Sequence, residues 1–307
     1  MPIAPASPPP DNAKIGILCV LASTFFFNGL NAIAKWLTTD YSVIEITFFR
    51  NLLAFLPCLV YVLAGPGIDA LKTGRLPLHL FRGIAGFGSM LLVFTAFGLL
   101  PIADAVAVSF ATPLFLTAVS VPMLGEKVGV HRWSAVIVGF LGILLMARPT
   151  GAGASLGFLA AAASALLNAV ILVTVRRLGR TEAPVTIIFY QAFVGTIASA
   201  MLLPFGWKAP TAADFLAFAG LGLFGIVGHF FLTQGFRYAA ATVVGPFNYT
   251  GLIWATLFGY VIWHDLPGPS TILGGLVVIA SGIYIFYRET RRQVAVVRAG
   301  PPHPGSD

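Results

Sequence analysis

A stripe of polar side chains follows one face of the first long apolar segment. Thr24, Asn28, Asn31 and Lys35 stand at positions i, i+4, i+7 and i+11, a spacing that places all four on one side of a helix. Such groups can bind a polar solute in a water-filled cavity, or they can form hydrogen bonds between helices. We expect Asn28 and Asn31 to line a cavity, with a thinner counterpart at Asn168 in a later segment.

Two further ionisable side chains stand well inside apolar segments. The planar guanidinium of Arg50 can bind a solute carboxylate, and the alternative is a structural latch to Glu45 or Asp104. The imidazole of His229 can take up and release a proton near neutral pH, which would make a proton a coupling partner. The alternative for His229 is a hydrogen bond between helices.

Amide and aromatic side chains recur near the middle of two segments of the second half of the chain. They are Tyr190 and Gln191 in one segment and Asn248, Tyr249 and Trp254 in the other. Aromatic walls with a few polar anchors suit a solute that has an apolar body and a charged head. The alternative is helix packing with anchoring at the membrane interface.

Two prolines and three charged residues mark places where a helical protein can bend or close. Pro113 and Pro246 interrupt apolar segments and are either hinges or static kinks. Glu126 and Asp265 stand at the ends of two segments on opposite sides of the predicted bundle. We expect them, together with Lys35, to act as gates or latches rather than as ligands.

Composition places the chain in a membrane. Of its 307 residues 58% are hydrophobic and 9% are charged, and the mean hydropathy is +0.90. Soluble domains carry roughly 25% charged residues, so this chain has too few to cover a soluble surface. The net charge of +7 comes from basic residues between apolar runs, which argues against a nucleic-acid partner. Cys19 and Cys58 offer no disulfide framework, and we expect no metal, cofactor or catalytic residue.

Ten apolar segments are long enough to cross the hydrocarbon core, which takes about 20 residues. Backbone groups in lipid must be paired internally, and continuous apolar runs favour helices over strands. The sequence therefore predicts an all-α integral membrane protein with ten transmembrane helices, at residues 14–38, 43–65, 79–99, 104–124, 131–147, 155–178, 184–206, 212–236, 241–263 and 270–288.

The distribution of basic residues predicts the orientation. If the N-terminus is cytoplasmic, fourteen of the eighteen Lys and Arg residues lie in inside segments and three in outside segments. Loops on the cytoplasmic side carry an excess of Lys and Arg. We therefore expect a multi-pass protein of the bacterial inner membrane with both termini in the cytoplasm.

The second half of the chain repeats the first. Offsets of 141 and then 139 residues align the halves over about 115 residues. The clearest pairs are Gly16 with Gly157, Phe48 with Phe189, Gly86 with Gly225, and Phe110 with Tyr249. Because five is odd, the second copy must cross the membrane in the opposite sense, which predicts a 5+5 inverted-topology repeat. The predicted units are a disordered cytoplasmic tail (1–13), two repeats (14–150 and 151–290) and a second disordered cytoplasmic tail (291–307).

Several segments resemble the EamA-type branch of the drug/metabolite transporter superfamily. They are residues 46–54 (ITFFRNLLA), 122–127 (PMLGEK), 235–239 (GFRYA), 246–249 (PFNY) and 263–267 (WHDLP). The resemblance covers residues 14 to 290 and implies ten helices, two EamA repeats and metabolite transport without ATP. Within the family, the chain looks like the amino-acid exporters of the YddG type. Gln191 stands where the first half has Arg50, and Asp265 where it has Glu126.

These observations predict a secondary transporter that works by alternating access. From the resemblance we expect export of amino acids, including aromatic or other apolar ones. The alternatives are transport of another metabolite, such as S-adenosylmethionine, a vitamin or a sugar derivative, a membrane-embedded enzyme, and a non-transporting scaffold. The expected partners are a small solute and the lipid bilayer, with a coupling proton left open.

Overall fold

The computed structural model describes residues 12–124, 129–146 and 152–299, and no β-strand occurs within these ranges. Twelve α-helices follow one another: α1 (Ala13–Leu37), α2 (Val43–Ala64), α3 (Leu76–Leu99), α4 (Ile102–Ser109), α5 (Thr112–Leu124), α6 (Val130–Met146), α7 (Ala152–Leu178), α8 (Pro184–Leu202), α9 (Ala212–Tyr238), α10 (Ala241–Val244), α11 (Gly251–Trp263) and α12 (Pro269–Ala299). Short 3-10 helices lie at Ile68–Leu71, Leu203–Phe205 and Gly245–Thr250.

Eight helical stretches of the described chain are long and apolar enough to cross a membrane. They are Ala13–Leu37, Val43–Ala64, Leu76–Leu99, Ile102–Met123, Ser155–Leu178, Pro184–Phe205, Ala212–Tyr238 and Pro269–Arg288. Each coincides with a segment predicted from the sequence. The chain is therefore an all-helical multi-pass membrane protein, as expected.

The two other predicted segments take different forms. Residues 131–147 correspond to α6, an apolar helix of 17 residues. Residues 241–263 are not one continuous helix, because the 3-10 helix Gly245–Thr250 separates α10 from α11. At the other end of the chain, α12 continues to Ala299, past the predicted boundary at residue 290.

The bundle is organised by four main helix pairs. α1 packs on α9, α3 on α7, α2 on α8 and α6 on α12. In lipid, helix association depends on close packing, which small residues allow. Gly29 of α1 lies directly against Phe224 of α9, and Gly228 of α9 lies against Phe27 of α1. The main buried apolar cluster joins these pairs through α4, where Ile102 and Val108 are fully buried.

The α6–α12 pair depends on two facing glycines. A methyl group on Gly274 would lie 2.5 Å from the carbonyl oxygen of Gly142 and 2.5 Å from Cγ of Met146. A methyl group on the next residue, Gly275, would meet Ala107 at 3.7 Å, an ordinary contact. The two glycines therefore make a matched pair for a stability test.

We predict that Gly274→Ala lowers the thermal stability of the purified protein, because the methyl group collides with backbone that cannot move freely. Overpacking of this kind costs about 1–3 kcal/mol. Gly275→Ala should be neutral or stabilising, since alanine gains up to about 1 kcal/mol in helix propensity. The measurement is the melting temperature in detergent. Equal melting temperatures for the two variants would contradict this explanation of the α6–α12 contact.

Candidate functional site

Two helix interruptions meet at the centre of the bundle. The first separates α4 from α5 at residues 110 and 111, and the second is the 3-10 helix Gly245–Thr250. The rings of Phe110 and Tyr249 meet there edge to face, with centroids 5.1 Å apart. These are the two residues that the sequence repeat aligns with each other.

Proline explains both interruptions, and local side chains satisfy the backbone around them. Pro113 is the second residue of α5 and cannot donate to the carbonyl of Ser109, so the hydroxyl of Thr112 donates to that carbonyl at 2.8 Å. Pro246 stands in the first turn of the 3-10 helix, where Nδ2 of Asn248 donates to the carbonyl of Gly245 at 3.0 Å. The interruptions are therefore locally stabilised features of the sequence.

A cavity of about 590 Å³ lies beside the interruptions. Phe110, Tyr249, Pro113 and Pro246 line it near the centre of the bundle. Its other lining residues reach one end of the bundle and include two arginines, several hydroxyl side chains and two phenylalanines: Arg132, Arg176, Ser109, Thr112, Thr117, Ser120, Phe236 and Phe286. The cavity thus combines an aromatic wall with positive charge and hydrogen-bonding oxygens.

Four residues selected from the sequence line this cavity together. They are Asn248 and Tyr249, expected to bind solute, and Pro113 and Pro246, expected to act as hinges. Asn168 is exposed on α7 and stands one and two turns before Leu172 and Arg176, which do line the cavity.

The polar stripe of α1 faces the second interruption. Thr24 and Thr250 share a hydrogen bond between their hydroxyl oxygens at 3.2 Å. Nδ2 of Asn28 donates to the carbonyl of Thr24 at 2.8 Å, and its side chain lies against Gly251 at the start of α11. Asn31 is half-buried one turn further along. This part of the stripe connects α1 to the interrupted segment.

Arg50 and His229 come within electrostatic range of each other, away from the lining described above. A guanidinium nitrogen of Arg50 lies 3.6 Å from the sulfur of Met90, and the His229 ring packs edge to face on Phe27 at 4.9 Å. The alternative latch partner Glu45 instead accepts a hydrogen bond from the backbone N–H of Lys208 at 3.3 Å.

Three other candidates pack between helices. Oε1 of Gln191 accepts a hydrogen bond from Arg82 at 3.0 Å, and the Gln191 amide fills the space beside Gly86. The hydroxyl of Tyr190 donates to the carbonyl of Leu71 at 3.1 Å. The Trp254 ring meets Phe25 edge to face at 5.1 Å.

Lys35 joins several elements at the end of the bundle opposite Arg176. Its Nζ donates to the carbonyl of Leu100 at 2.5 Å and lies 5.3 Å above the Trp263 ring. Asp104 and Asp265 attract it electrostatically. Lys35 and Asp265, two of the three expected gate residues, are therefore neighbours, whereas Glu126 lies outside the described residues.

The two arginines of the cavity, Arg132 and Arg176, are not among the residues that the sequence predicts to bind solute. Both lie between apolar segments, where basic residues indicate topology. The spacing of Asn168, Leu172 and Arg176 at i, i+4 and i+8 placed Arg176 on the face of α7 that carries Asn168, and this signal would have found it.

A buried histidine–glutamate pair was missed as well. Nε2 of His79 lies 3.6 Å from Oε2 of Glu182, and the two side chains are 0% and 8% exposed. Thr73 donates to the other carboxylate oxygen of Glu182 at 2.9 Å, and the His79 ring packs on Tyr190 at 4.7 Å. The pair ties the beginning of α3 to the connection between α7 and α8.

The EamA-like transporter family matches the chain twice, at residues 14–148 and 155–288. The chain belongs to the EamA-like transporter family. This confirms the family expected from the sequence.

Curated relatives in this family are named as transporters of chemically different solutes. The S-adenosylmethionine uptake transporter of Rickettsia prowazekii is 28% identical over 279 residues, which cover 90% of this chain and 94% of the relative. The pseudopaline exporter CntI of Pseudomonas aeruginosa is 28% identical, covering 89% and 96%. The riboflavin transporter of Rhizobium johnstonii is 28% identical, covering 92% and 95%.

These relatives support a small-molecule transporter of the family and do not single out amino-acid exporters of the YddG type. A solved crystal structure superimposes with a TM-score of 0.61 at 22% identity, covering 91% of this chain and 98% of that one. The superposition supports the fold.

We predict that Glu182→Ala lowers the stability of the purified protein. The substitution removes the acceptor of the Thr73 hydroxyl and the carboxylate that lies beside the buried His79 ring. Loss of a hydrogen-bond partner by a buried polar group costs about 1–3 kcal/mol. The matched control is Asp69→Ala, because Asp69 pairs with Lys72 on the surface, where the two side chains are 85% and 82% exposed. The measurement is the melting temperature of each variant in detergent. If Asp69→Ala lowers the melting temperature as much as Glu182→Ala does, a specific role for the buried pair is contradicted.

Proposed function

We propose that this protein is a secondary transporter that moves small organic solutes across the bacterial inner membrane by alternating access. The observation that carries the proposal is a cavity bounded by two interrupted helices, with aromatic, hydroxyl and cationic side chains in its wall. Interrupted helices in membrane transporters mark solute sites, because irregular backbone is tolerated only beside a cavity or within protein.

The pairing of helices supports an inverted repeat of five and five spans. Under the sequence repeat, α1 corresponds to α7, and α9 corresponds to α3. The repeat therefore maps the α1–α9 pair of helices onto the α7–α3 pair. Both pairs of helices are among the most closely packed in the bundle. Phe110 and Tyr249 exchange with each other and are also in contact, as expected for residues at the axis that relates two halves.

The cavity belongs to one access state. It reaches the end of the bundle that carries Arg132 and Arg176, whereas Lys35, Asp265 and Trp263 are gathered at the other end. The bias of basic residues assigns the Arg176 end to the cytoplasm. On this assignment we propose an inward-facing state, with both termini cytoplasmic and the outer end closed around Lys35.

Amino acids, including aromatic ones, are the proposed solutes. An aromatic wall suits an apolar body, and arginine suits a carboxylate. The names of the relatives offer alternatives, since one takes up S-adenosylmethionine and another transports riboflavin. S-Adenosylmethionine itself carries the amino and carboxylate groups of methionine, so a site for an amino acid is chemically related to it.

The direct test is counterflow in liposomes that contain the purified protein. We expect labelled phenylalanine to accumulate faster in these liposomes than in liposomes without the protein. Tyr249→Ala should reduce the rate of accumulation by about tenfold, because an aromatic contact with the solute is lost. The control is Trp207→Ala, an aromatic residue that is 51% exposed. If labelled S-adenosylmethionine or riboflavin is transported and phenylalanine is not, the proposed solute is wrong. If none of these three compounds is transported, the proposed function is contradicted.

A second prediction concerns the closed outer end. In a variant without Cys19 and Cys58, a cysteine at position 31 should react slowly with a membrane-impermeant thiol reagent added outside. Lys35→Met should accelerate labelling by roughly fivefold, which corresponds to a loss of about 1 kcal/mol in the free energy that favours the closed outer end. Lys208→Met is the control, because the Lys208–Asp40 pair is mostly exposed. Equal rates in all three proteins would contradict a latch at Lys35.

A further inference from the structure

Three charged side chains gather at the end of the bundle that the proposed orientation places outside. Lys35 and Asp104 belong to the first half of the chain, and Asp265 belongs to the second. Both carboxylates lie within electrostatic range of the Lys35 ammonium group, which also contacts the carbonyl of Leu100 and the ring of Trp263. Because these groups come from different halves, opening of this end has to separate them. We call the three charged residues the outer cluster.

The charges of the outer cluster do not balance. Two carboxylates and one ammonium group leave one negative charge in excess. In the part of the chain that the structure describes, Lys35 and Asp265 are the charged groups that act on Asp104, and all three side chains are only partly exposed. An uncompensated charge is unfavourable where it is shielded from water. A carboxyl group in such a place binds a proton instead.

One carboxylate oxygen of Asp104 has no donor beside it. Thr271, a buried residue of α12, lies within hydrogen-bonding range of the Asp104 side chain and stabilises its ionised form. Oδ1 of Asp104, however, is buried and has no hydrogen-bond partner among the described residues. An ionised carboxylate accepts hydrogen bonds at both oxygens, so a buried oxygen without a donor disfavours ionisation. Asp104 is therefore the group of the outer cluster that is suited to hold a proton.

The inner end of the bundle lacks an equivalent of Asp104. By the sequence repeat, Arg176 is the equivalent of the lysine of the outer cluster, and Glu126 is the equivalent of its second aspartate. Asp104 corresponds to Val243, and the helices that carry these two residues begin 139 residues apart. Arg176 lines the open cavity, which shows where the equivalent lysine would stand if its own end were open. The excess carboxylate is thus particular to the outer end.

We infer that the outer end contains a proton-binding site: Asp104 takes up one proton from the external water when this end closes around Lys35 and Asp265, and returns it to the external water when the end opens. This inference rests on the proposed alternating access and adds an external proton as its regulator. Because the closed state binds the proton more tightly, acid outside favours closure, and closure weakens as the external pH rises. One proton changes this equilibrium by at most about tenfold per pH unit.

The test measures how opening of the outer end depends on external pH. The reporter is a cysteine at position 31 in the protein without Cys19 and Cys58, labelled by a membrane-impermeant thiol reagent added to intact cells at external pH values between about 5.5 and 8.5. Each rate is divided by the rate of the Asp104→Asn variant at the same pH, which cancels the titration of the thiol. We expect this ratio to rise about tenfold with pH, because Asp104→Asn mimics the protonated acid and stays closed.

Three further variants test the charge balance of the outer cluster. Asp265→Asn should give a ratio that does not change with pH, because Asp104 and Lys35 then balance without a proton. Thr271→Val should move the rise to higher pH, because it removes a hydroxyl that stabilises the ionised carboxylate. Compared directly with the parent protein, it also provides the test if Asp104→Asn does not fold. The matched control is Asp40→Asn, an exposed carboxylate of the α1–α2 connection, which should keep the pH dependence of the parent.

The outcomes distinguish the proton site from the transport function. A ratio that stays constant with pH in the parent protein would overturn the proton site even if counterflow of phenylalanine is observed. Full pH dependence in Asp265→Asn would also overturn it, because the proton would then not depend on the excess charge. If the outer end opens with rising pH as expected and no solute is transported, the proton site is supported and the proposed transport function fails.

Discussion

The backbone of an interrupted helix inside a membrane protein must find partners other than lipid, and the centre of this structure is arranged around that constraint. At the first interruption Thr112 supplies the hydrogen bond that Pro113 cannot, and at the second Asn248 and Thr250 bond to the carbonyls of Gly245 and Phe247. Hydrocarbon offers no donor to such carbonyls. Two of these residues, Thr112 and Asn248, also line the cavity.

The two halves share a pattern of packing but differ in chemistry. By the offsets of the sequence repeat, His79 and Tyr190 of one contact correspond to Phe218 and Phe49 of another. Both pairs are in ring contact, at 4.7 Å and 4.4 Å. Beside the His79–Tyr190 contact lies the buried side chain of Glu182. At the equivalent position beside the Phe218–Phe49 contact stands Tyr41, whose ring packs on Phe218 at 5.1 Å. Similar geometry thus includes a buried histidine–glutamate contact at one end and aromatic packing at the other.

Basic residues in this protein serve more than topology. Lys35 and Arg176 are repeat equivalents, and the structure places them in different surroundings. Lys35 donates to a carbonyl, lies over an aromatic ring and is within electrostatic range of two carboxylates, whereas Arg176 lines the cavity. In an alternating-access protein, equivalent positions are expected to differ in this way, because only one end is open at a time.

The sequence by itself determined the membrane-embedded all-helical fold, since long apolar runs with few charges have no other stable arrangement in lipid. It also indicated both interruptions through Pro113 and Pro246, since proline has no backbone N–H to donate within a helix. Proline alone does not decide the outcome, because Pro57 lies inside α2 without interrupting it. It could not decide which polar residues share a cavity. Asn248 and Tyr249 line the one described, whereas Gln191 bonds to Arg82 of α3 and Tyr190 to the 3-10 helix that precedes α3. Periodicity assigns a residue to a face of its own helix, but only tertiary packing decides what that face meets. For the same reason the contact between Phe110 and Tyr249 came from the tertiary structure alone. Periodicity puts Arg176 on one face of α7 with Asn168, but only the packing shows that Arg176 lines the cavity and Asn168 does not.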